Sequence, residues 1–443
     1  MKNIDRAGPL FTDLYELTMA AGYYEHRVPS NTTFSLFIRN YPPNRNYFVA
    51  AGLKDVLHEL ESFHFSENDI DYLKTTGLFS DGFLSYLKAL RFSGSIHALP
   101  EGTIFFVNEP ILEVTAPVIE AQILETFILN TIGFSTMIAS KAARCVHAAK
   151  GRPLIDFSLR RTHAKDAGMK VARSTYIAGF NATSNVLAGK TYGIPISGTM
   201  AHSYISAFDS ELDAFSAYSD TFPENSIFLI DTYDTIEGAQ NAVKVAKKME
   251  EKGHFLTGVR LDSGDMVMLS KQVRKILDDA DLLSVKIFAS SGFDEFKIAD
   301  CISKGSKIDA FGVGTKVGVS ADAPYLDIVY KVVRFKDRDT RKLSPGKITL
   351  AGKKQVFRKT DKQGTYLQDV LGIRDEKIGG GKPLLEKVME HGKRIVSNPS
   401  IQEIRREFKN NFSFLDDKYK SLGDTETYPV KLSRRLLDLQ KKL

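Results

Sequence analysis

Several reactive side chains of this sequence stand at one recurring place, just after a short apolar run and just before a helix-like stretch. Arg160 and Arg161 close the run LIDFSLRR, and His202 ends IPISGTMAH. Asp231 and Asp234 follow IFLI, and Arg260, Asp262 and Asp265 close FLTGVRLDSGD. No Cys or His sits at zinc spacing from His202. It reads as a structural histidine, or as a base or nucleophile with one ring nitrogen held by a carboxylate such as Asp231. The turn from Arg260 to Asp265 sets a guanidinium beside two carboxylates. Such a turn can cap the next helix, and it can also hold a sugar diphosphate with a divalent cation, the carboxylates taking the metal and the arginine the phosphate. Two glycine turns follow later runs, one with Gly292 and one with Gly312, Gly314 and Thr315, and their backbone amides can close on a phosphate. The paired arginines at 160 and 161 need anions, supplied either by a ligand or by a structural ion pair.

These residues must be positioned by the runs themselves. The runs begin at Leu154, Ile194, Ile227, Phe255, Val285 and Ile308, about 25–40 residues apart, which is the period of βα units in a parallel sheet. They are nearly continuous in apolar residues, as strands covered on both faces are. Spacing alone fits either a doubly wound sheet or a (β/α) barrel. A barrel gathers every strand end at one mouth, whereas an open sheet joins only those near a switch point, so the shared position of the reactive residues favours the barrel. Two helices follow from periodicity. One, after Asp234, has Ile236, Ala239, Val243 and Ala246 on its apolar face; the other, after Asp265, has Leu269, Val273, Ile276 and Leu277.

The flanks differ from this middle part. Residues 1–115 mix strands (TTFSLFIRNY, NYFVAAGL, GTIFFVN, ILEVTA) with helices (VLHELESF, FLSYLKALRF). Residues 325–375 read as antiparallel hairpins, and the tail from Pro383 reads as helical and charged. The expected division is an N-terminal α/β domain over 1–115, a barrel over 116–330, and a segment over 331–443 that packs with the N-terminal domain. At 443 residues the chain exceeds the size of one ordinary core. Its apolar and charged fractions, 43% and 26%, are those of a globular protein. No signal-peptide pattern and no uninterrupted apolar run of membrane-spanning length is read, so a cytoplasmic protein without membrane contact is expected. Cys145 and Cys301 form no CxxC pair and are expected to be buried thiols. The net charge of +6 is concentrated: residues 331–362 hold 12 Lys and Arg against 3 Asp and Glu, leaving the remainder at −3. A local excess is not the broad basic face of a nucleic-acid binder, and no nucleic acid is expected as a partner.

The segments TDLYELTMAAGYY, FSLFIRNYPPNRNYFVAAGL, IDFSLRRTHAKDAG, SGTMAHSYI, LIDTYDTIEGAQNAV, GVRLDSGDM, SSGFDE, DAFGVGTKVGVS and SPGKITLAGKKQVFRK resemble, in order, those of the nicotinate phosphoribosyltransferases, a type II phosphoribosyltransferase family. The resemblance implies a TIM-like (β/α) barrel with a split α/β (α+β) flanking domain. It implies that nicotinate and phosphoribosyl pyrophosphate give nicotinate mononucleotide and pyrophosphate with ATP hydrolysis, in salvage of nicotinate into NAD, with Mg²⁺ or Mn²⁺ required. It makes His202 the residue phosphorylated from ATP and Asp231 its orienting carboxylate. Phe157 and Arg160 would stack on and bond to the pyridine. Tyr15 would cover the other ring face across a homodimer whose active site is shared, and Arg39 would contact phosphate across the same interface. Arg260 and Asp262 resemble the surroundings of ring and ribose, Ser203 joins the substrate-binding set, and Gly292, Gly312, Gly314 and Thr315 resemble the 5′-phosphate cradle. Related nicotinamide enzymes carry Asp where this chain has Ser184. A hydroxyl there can donate to a carboxylate, which favours nicotinate. The alternatives are a nicotinamide or quinolinate phosphoribosyltransferase and, more distantly, another phosphate-binding barrel enzyme.

Overall fold

The computed structural model describes residues 8–28, 31–344, 347, 349–423 and 426–443. Pro345, Gly346 and Ile348 of SPGKITLAGKKQVFRK and the first seven residues lie outside the described residues. The chain forms two compact units, one made of residues 141–322 and the other of 1–140 with 323–443. The units part at 140/141 and 322/323, whereas the sequence places the boundaries at 115/116 and 330/331.

The unit over 141–322 is built on a six-stranded parallel sheet. Its strands are, in spatial order, Ala182–Thr183, Leu154–Asp156, Ala310–Val313, Lys286–Ala289, Gly258–Leu261 and Ile227–Leu229. Most of their residues are buried, because helices cover the outward side chains while the inward ones meet each other. The run at Ile194 does not extend into a strand. It makes a single bridge, Ile196 to Thr183, and Pro195, which has no N–H to give, only accepts from Thr183 N at 3.0 Å. The adjacent ladder position belongs to Ala182–Thr183, too short to show any period. The run at Phe255 also starts late, at Gly258, leaving Phe255 exposed. The sheet's two edges are joined beyond the strands by side chains. His202 Nδ1 shares a hydrogen bond with Thr232 Oγ1 at 3.1 Å, and Arg260 Nη1 donates to Thr199 Oγ1. The sheet thus curls into a barrel whose seam is closed by loop contacts.

The two helices read from periodicity each start where an aspartate caps them. Asp234 accepts from Ile236 N and Glu237 N at the head of Thr235–Glu251, and Asp265 accepts from Val267 N and Met268 N at the head of Met266–Asp279. In the first helix the buried face is Ala239, Ala242, Val245, Ala246 and Met249; Ile236 and Val243 lie at its margin.

The other unit is assembled from both ends of the chain. Asn31–Ile38 is an interior strand of a seven-stranded sheet, antiparallel to Leu112–Pro117 on one side and Ile328–Phe335 on the other, and Ser95–Ala98 pairs with Glu386–Glu390. A hairpin of Lys354–Thr360 and Tyr366–Ile373 forms a second sheet with Gly381–Pro383 and Val430–Leu432. The tail is therefore not wholly helical. The segment EKVME buries Val388 and Met389 and is a strand, and helices resume at Ile401–Phe414. Four of the twelve cations of the basic segment are consumed internally: Lys331 pairs with Glu125, Arg334 with Asp339, Lys354 with Glu113 and Arg358 with Asp369. Cys145 and Cys301 are buried and are not joined in a disulfide. The stretch Val118–Ala148 has the length and mean hydropathy, 1.3, of a membrane span, although polar residues interrupt it as a run; 78% of its apolar window is buried inside protein, as in a core helix.

Candidate active site

In the 141–322 unit the first carboxylate of each strand-end pair does something other than capping. Asp231 Oδ2 accepts from Asp262 N at 2.9 Å and from Ser263 Oγ at 2.6 Å, while its Oδ1 is buried without a hydrogen-bond partner. Asp262 accepts through Oδ1 from Ser290 Oγ, and its Oδ2 stands 3.8 Å from His202 Nε2. Asp231, expected to orient the histidine, is not the residue on the ring. Thr232 holds Nδ1 and Asp262 faces Nε2, because the short helix His202–Ile205 brings the imidazole over the loop beyond Asp231.

Arg260 extends across the same mouth. Its Nε is buried with no acceptor. Burial holds its guanidinium below the usual value, opposed by Asp262 and Asp231, while neighbouring Arg160 adds repulsion. Arg160 and Arg161 project from the turn Leu159–Arg161, are exposed, and have no ion-pair partner among the described residues. The structural ion pair left open by their sequence is thus not made among the described residues.

Phe157 precedes that turn, with its N–H bonded to Val313 O at 2.8 Å. Its ring lies against Gly312: a Cβ there would stand 2.5 Å from ring carbons Cδ2 and Cε2. Gly312, expected in a phosphate cradle, therefore makes room for the aromatic. Gly314 heads the turn Thr315–Gly318. Gly292 has φ +65 with open space around it, and its neighbour Ser291 is also left-handed at φ +86, held by Lys297 Nζ donating to its carbonyl at 2.8 Å. Lys316 pairs with Asp294 at 2.6 Å beside these turns. Ser184 is half-buried; its N–H donates to Asp156 O, and its hydroxyl makes no hydrogen bond among the described residues. Ser203 is exposed beside His202.

Tyr15 and Arg39 belong to the other unit. Tyr15 is 46% exposed on the helix Leu14–Glu25, in line with exposed Phe11, Leu14 and Met19. Burial, Glu125, Glu16 and Asp13 push its hydroxyl above the usual tyrosine range. Arg39 follows Asn31–Ile38; its Nη1 is 3.9 Å from Asp327 and its Nε is buried without an acceptor. Two residues that sequence reasoning passes over complete the arrangement, Thr232 on the histidine and Asp156 beneath Phe157. The described residues contain no cluster of three or more His, Cys, Asp or Glu side chains fit to hold a metal alone.

The mouth thus combines unpaired guanidinium groups, two carboxylates and an imidazole with a free face. It suits a polyanion whose own oxygens share a cation with the protein. Known proteins resemble this chain along most of its length. Models of the nicotinate phosphoribosyltransferase N-terminal domain, family and C-terminal domain match residues 10–133, 153–341 and 380–440. A nicotinate phosphoribosyltransferase of Mycobacterium tuberculosis is 47% identical over 97% of this chain and 92% of its own, and that of Bacillus subtilis is 38% identical over 96% and 92%. The crystal structure of human nicotinic acid phosphoribosyltransferase superposes with a TM-score of 0.88 at 28% identity, covering 98% of this chain and 99% of that one. A nicotinate-nucleotide pyrophosphorylase from Pyrococcus furiosus gives 0.77 at 26%, covering 94% and 97%.

Proposed function

This chain belongs to the nicotinate phosphoribosyltransferase family, and from that premise we propose that it joins nicotinate to phosphoribosyl pyrophosphate, releasing pyrophosphate and nicotinate mononucleotide for NAD synthesis, with ATP hydrolysis coupled through phosphorylation of His202. The observation that carries this reading is the set of guanidinium groups left without carboxylates at the strand ends. Arg160 and Arg161 have no ion pair among the described residues, and Arg260 Nε has no acceptor. The exposed pair is available to an anion, and the buried Arg260 Nε is costly to hold unless an anionic ligand completes it.

The chemistry asks little of a general base, since a pyridine nitrogen is already a nucleophile. The protein must instead aim that nitrogen at the anomeric carbon and receive the charge of the leaving pyrophosphate. Phe157 supplies one stacking face, Arg160 an acceptor-seeking guanidinium for the substrate carboxylate, and Ser184 a free hydroxyl donor beside them. Arg260 and the turns at Gly292 and Thr315 serve the phosphates. A divalent cation, Mg²⁺ or Mn²⁺, would be held by Asp231, through its unpartnered Oδ1, and by Asp262 together with pyrophosphate oxygens, and would neutralise the leaving group. Thr232 on Nδ1 leaves Nε2 of His202 as the nitrogen to accept phosphate. The apolar stripe of Phe11, Leu14, Tyr15 and Met19 supports a homodimer in which Tyr15 and Arg39 serve the partner's site.

Product analysis with nicotinate, phosphoribosyl pyrophosphate and Mg²⁺, with and without ATP, tests this reading. Mononucleotide is expected in both cases and more of it with ATP. His202→Ala abolishes ATP hydrolysis while leaving slow uncoupled transfer; unchanged ATP hydrolysis in that variant removes the phosphohistidine. Turnover of nicotinamide or quinolinate in preference to nicotinate assigns the chain to the alternative substrate.

A further inference from the structure

Asp156 ends the strand Leu154–Asp156 and is only 1% exposed. Its carboxylate is fully engaged. Oδ1 accepts from Ser158 N at 2.9 Å and from Ser158 Oγ, and Oδ2 accepts from Thr183 Oγ1 at 2.8 Å. Its main-chain carbonyl accepts from Ser184 N at 2.8 Å. Thr183 Oγ1 in turn accepts from Asn185 N at 3.1 Å, and Asn185 caps the helix Val186–Tyr192. Burying a carboxylate is costly unless its lone pairs are filled. An apolar residue would serve a strand end better if packing were the only need. What the carboxylate adds is a rigid tie between two separate pieces of chain, the turn that presents Phe157 and Arg160 and the loop that presents Ser184.

We propose that Asp156 is a positioning residue for pyridine recognition, fixing the Phe157–Arg160 turn against Ser184 so that ring and carboxylate are read together. The inference rests on the transferase reading above. Recognition of a substrate this small depends on placement to within a fraction of an ångström, so a tie of three side-chain hydrogen bonds beneath the pocket governs affinity without touching the ligand. Burial raises the Asp156 carboxyl above the ordinary aspartate range, and the bonds from Ser158 and Thr183 pull it back.

The test measures KM for nicotinate, KM for phosphoribosyl pyrophosphate and the nicotinate-to-nicotinamide kcat/KM ratio in the full-length enzyme. Asp156→Asn replaces one acceptor oxygen by a donor, and Thr183→Val removes one tie while keeping the carboxylate and the Ser158 bonds. Both are expected to raise nicotinate KM by about tenfold and lower the substrate ratio, with phosphoribosyl pyrophosphate KM unchanged within about twofold. Thr183→Ser restores the wild-type values. If Asp156→Asn does not fold, Thr183→Val decides. A folded Thr183→Val enzyme with wild-type nicotinate KM and ratio overturns the proposal, as does an equal rise in both KM values. Arg160→Ala separates the two layers of argument. If it too leaves nicotinate KM unchanged, the assignment of the pyridine site has failed; if it raises KM while Thr183→Val does not, only the positioning role has.

Discussion

Buried ion pairs hold each unit of this protein together, but at the strand ends of the barrel unit the arginines have no carboxylate against them among the described residues. In the unit made from the chain's two ends, Arg358 is 3% exposed and meets Asp369 through Nε and Nη2 at 2.9 and 2.6 Å. Its guanidinium lies 4.2 Å from the centroid of the Tyr366 ring, and Tyr428 donates to the same carboxylate. Glu113 likewise takes both Lys354 and Arg374. In the barrel unit, by contrast, Arg160 and Arg161 are unpaired among the described residues, and Asp231 Oδ1 and Arg260 Nε are buried without partners. Unpaired polar groups are expensive in a folded chain. At the barrel's strand ends the exposed arginine pair and these two orphaned atoms face one mouth and mark a surface open to ligands, whereas the Arg358–Asp369 pair is architecture.

Substituting one arginine from each unit gives the largest expected effect. Arg358→Met leaves Asp369 buried without its cation, next to Glu109, whose carboxyl is already driven up by burial and by that same aspartate. Removing one partner of such a pair costs about 3–5 kcal/mol. Arg160→Met removes an exposed side chain with no protein partner and should change stability by no more than about 0.5 kcal/mol, while weakening nicotinate binding. Denaturant melts of the two variants check the contrast, and comparable stability losses would erase the distinction drawn between the units.

A smaller effect is expected inside the site. In Gly312→Ala the new methyl meets the Phe157 ring at 2.5 Å, and the ring must move or the strands must part. Overpacking of this kind costs about 1–3 kcal/mol, and displacement of the aromatic raises nicotinate KM. A variant with wild-type KM would show that the ring's position against Gly312 is not what the substrate uses.

The architecture was legible to the extent that it is periodic. Runs such as IFLI and KIFA declare strands because both faces are covered, and their polar ends locate the mouth. The strand Ala182–Thr183 was hidden because it is two residues long and exists only through pairing with Ile155 and Asp156, 27 residues away. The Ile194 run looked strand-like from its apolar residues, but Pro195 within it has no N–H to give to a ladder. Within the site, the arginines and carboxylates could be read because charge at a strand end is conspicuous. Thr232 could not, since a hydroxyl between two aspartates signals nothing until the imidazole is placed. Asp156 did carry a signal that went unread: a carboxylate within the apolar run LIDF must find donors if it is buried. In this structure Thr232 and Asp262, not Asp231, lie on the ring of His202, because neighbouring strand ends do not fix which loop atom reaches it.

The smallest effect probes one orphaned imidazole in the unit made from the chain's two ends. A row of side chains crosses its large sheet in register, Lys331, Ser35, Glu113, His97 and Lys387. His97 Nδ1 is buried there without a partner. Burial first, then Arg374, Lys387 and Lys353, outweigh Glu390 and push its imidazole down from 6.5 to about 3. Between those values the unfolded chain binds a proton at this position that the folded chain refuses. Stability therefore rises with pH across this window; it is fully present above about 6.5 and declines as pH falls toward 3. The range from pH 6.5 to about 5 lies above most carboxylate titrations, so the slope of thermal stability there isolates histidines. His97→Gln, which cannot take up that proton, should flatten the slope while leaving activity at neutral pH intact. Parallel slopes in the two proteins would mean that this position is open enough to water for the imidazole to charge in place, and the paired unit would then be less sealed than its ion pairs imply.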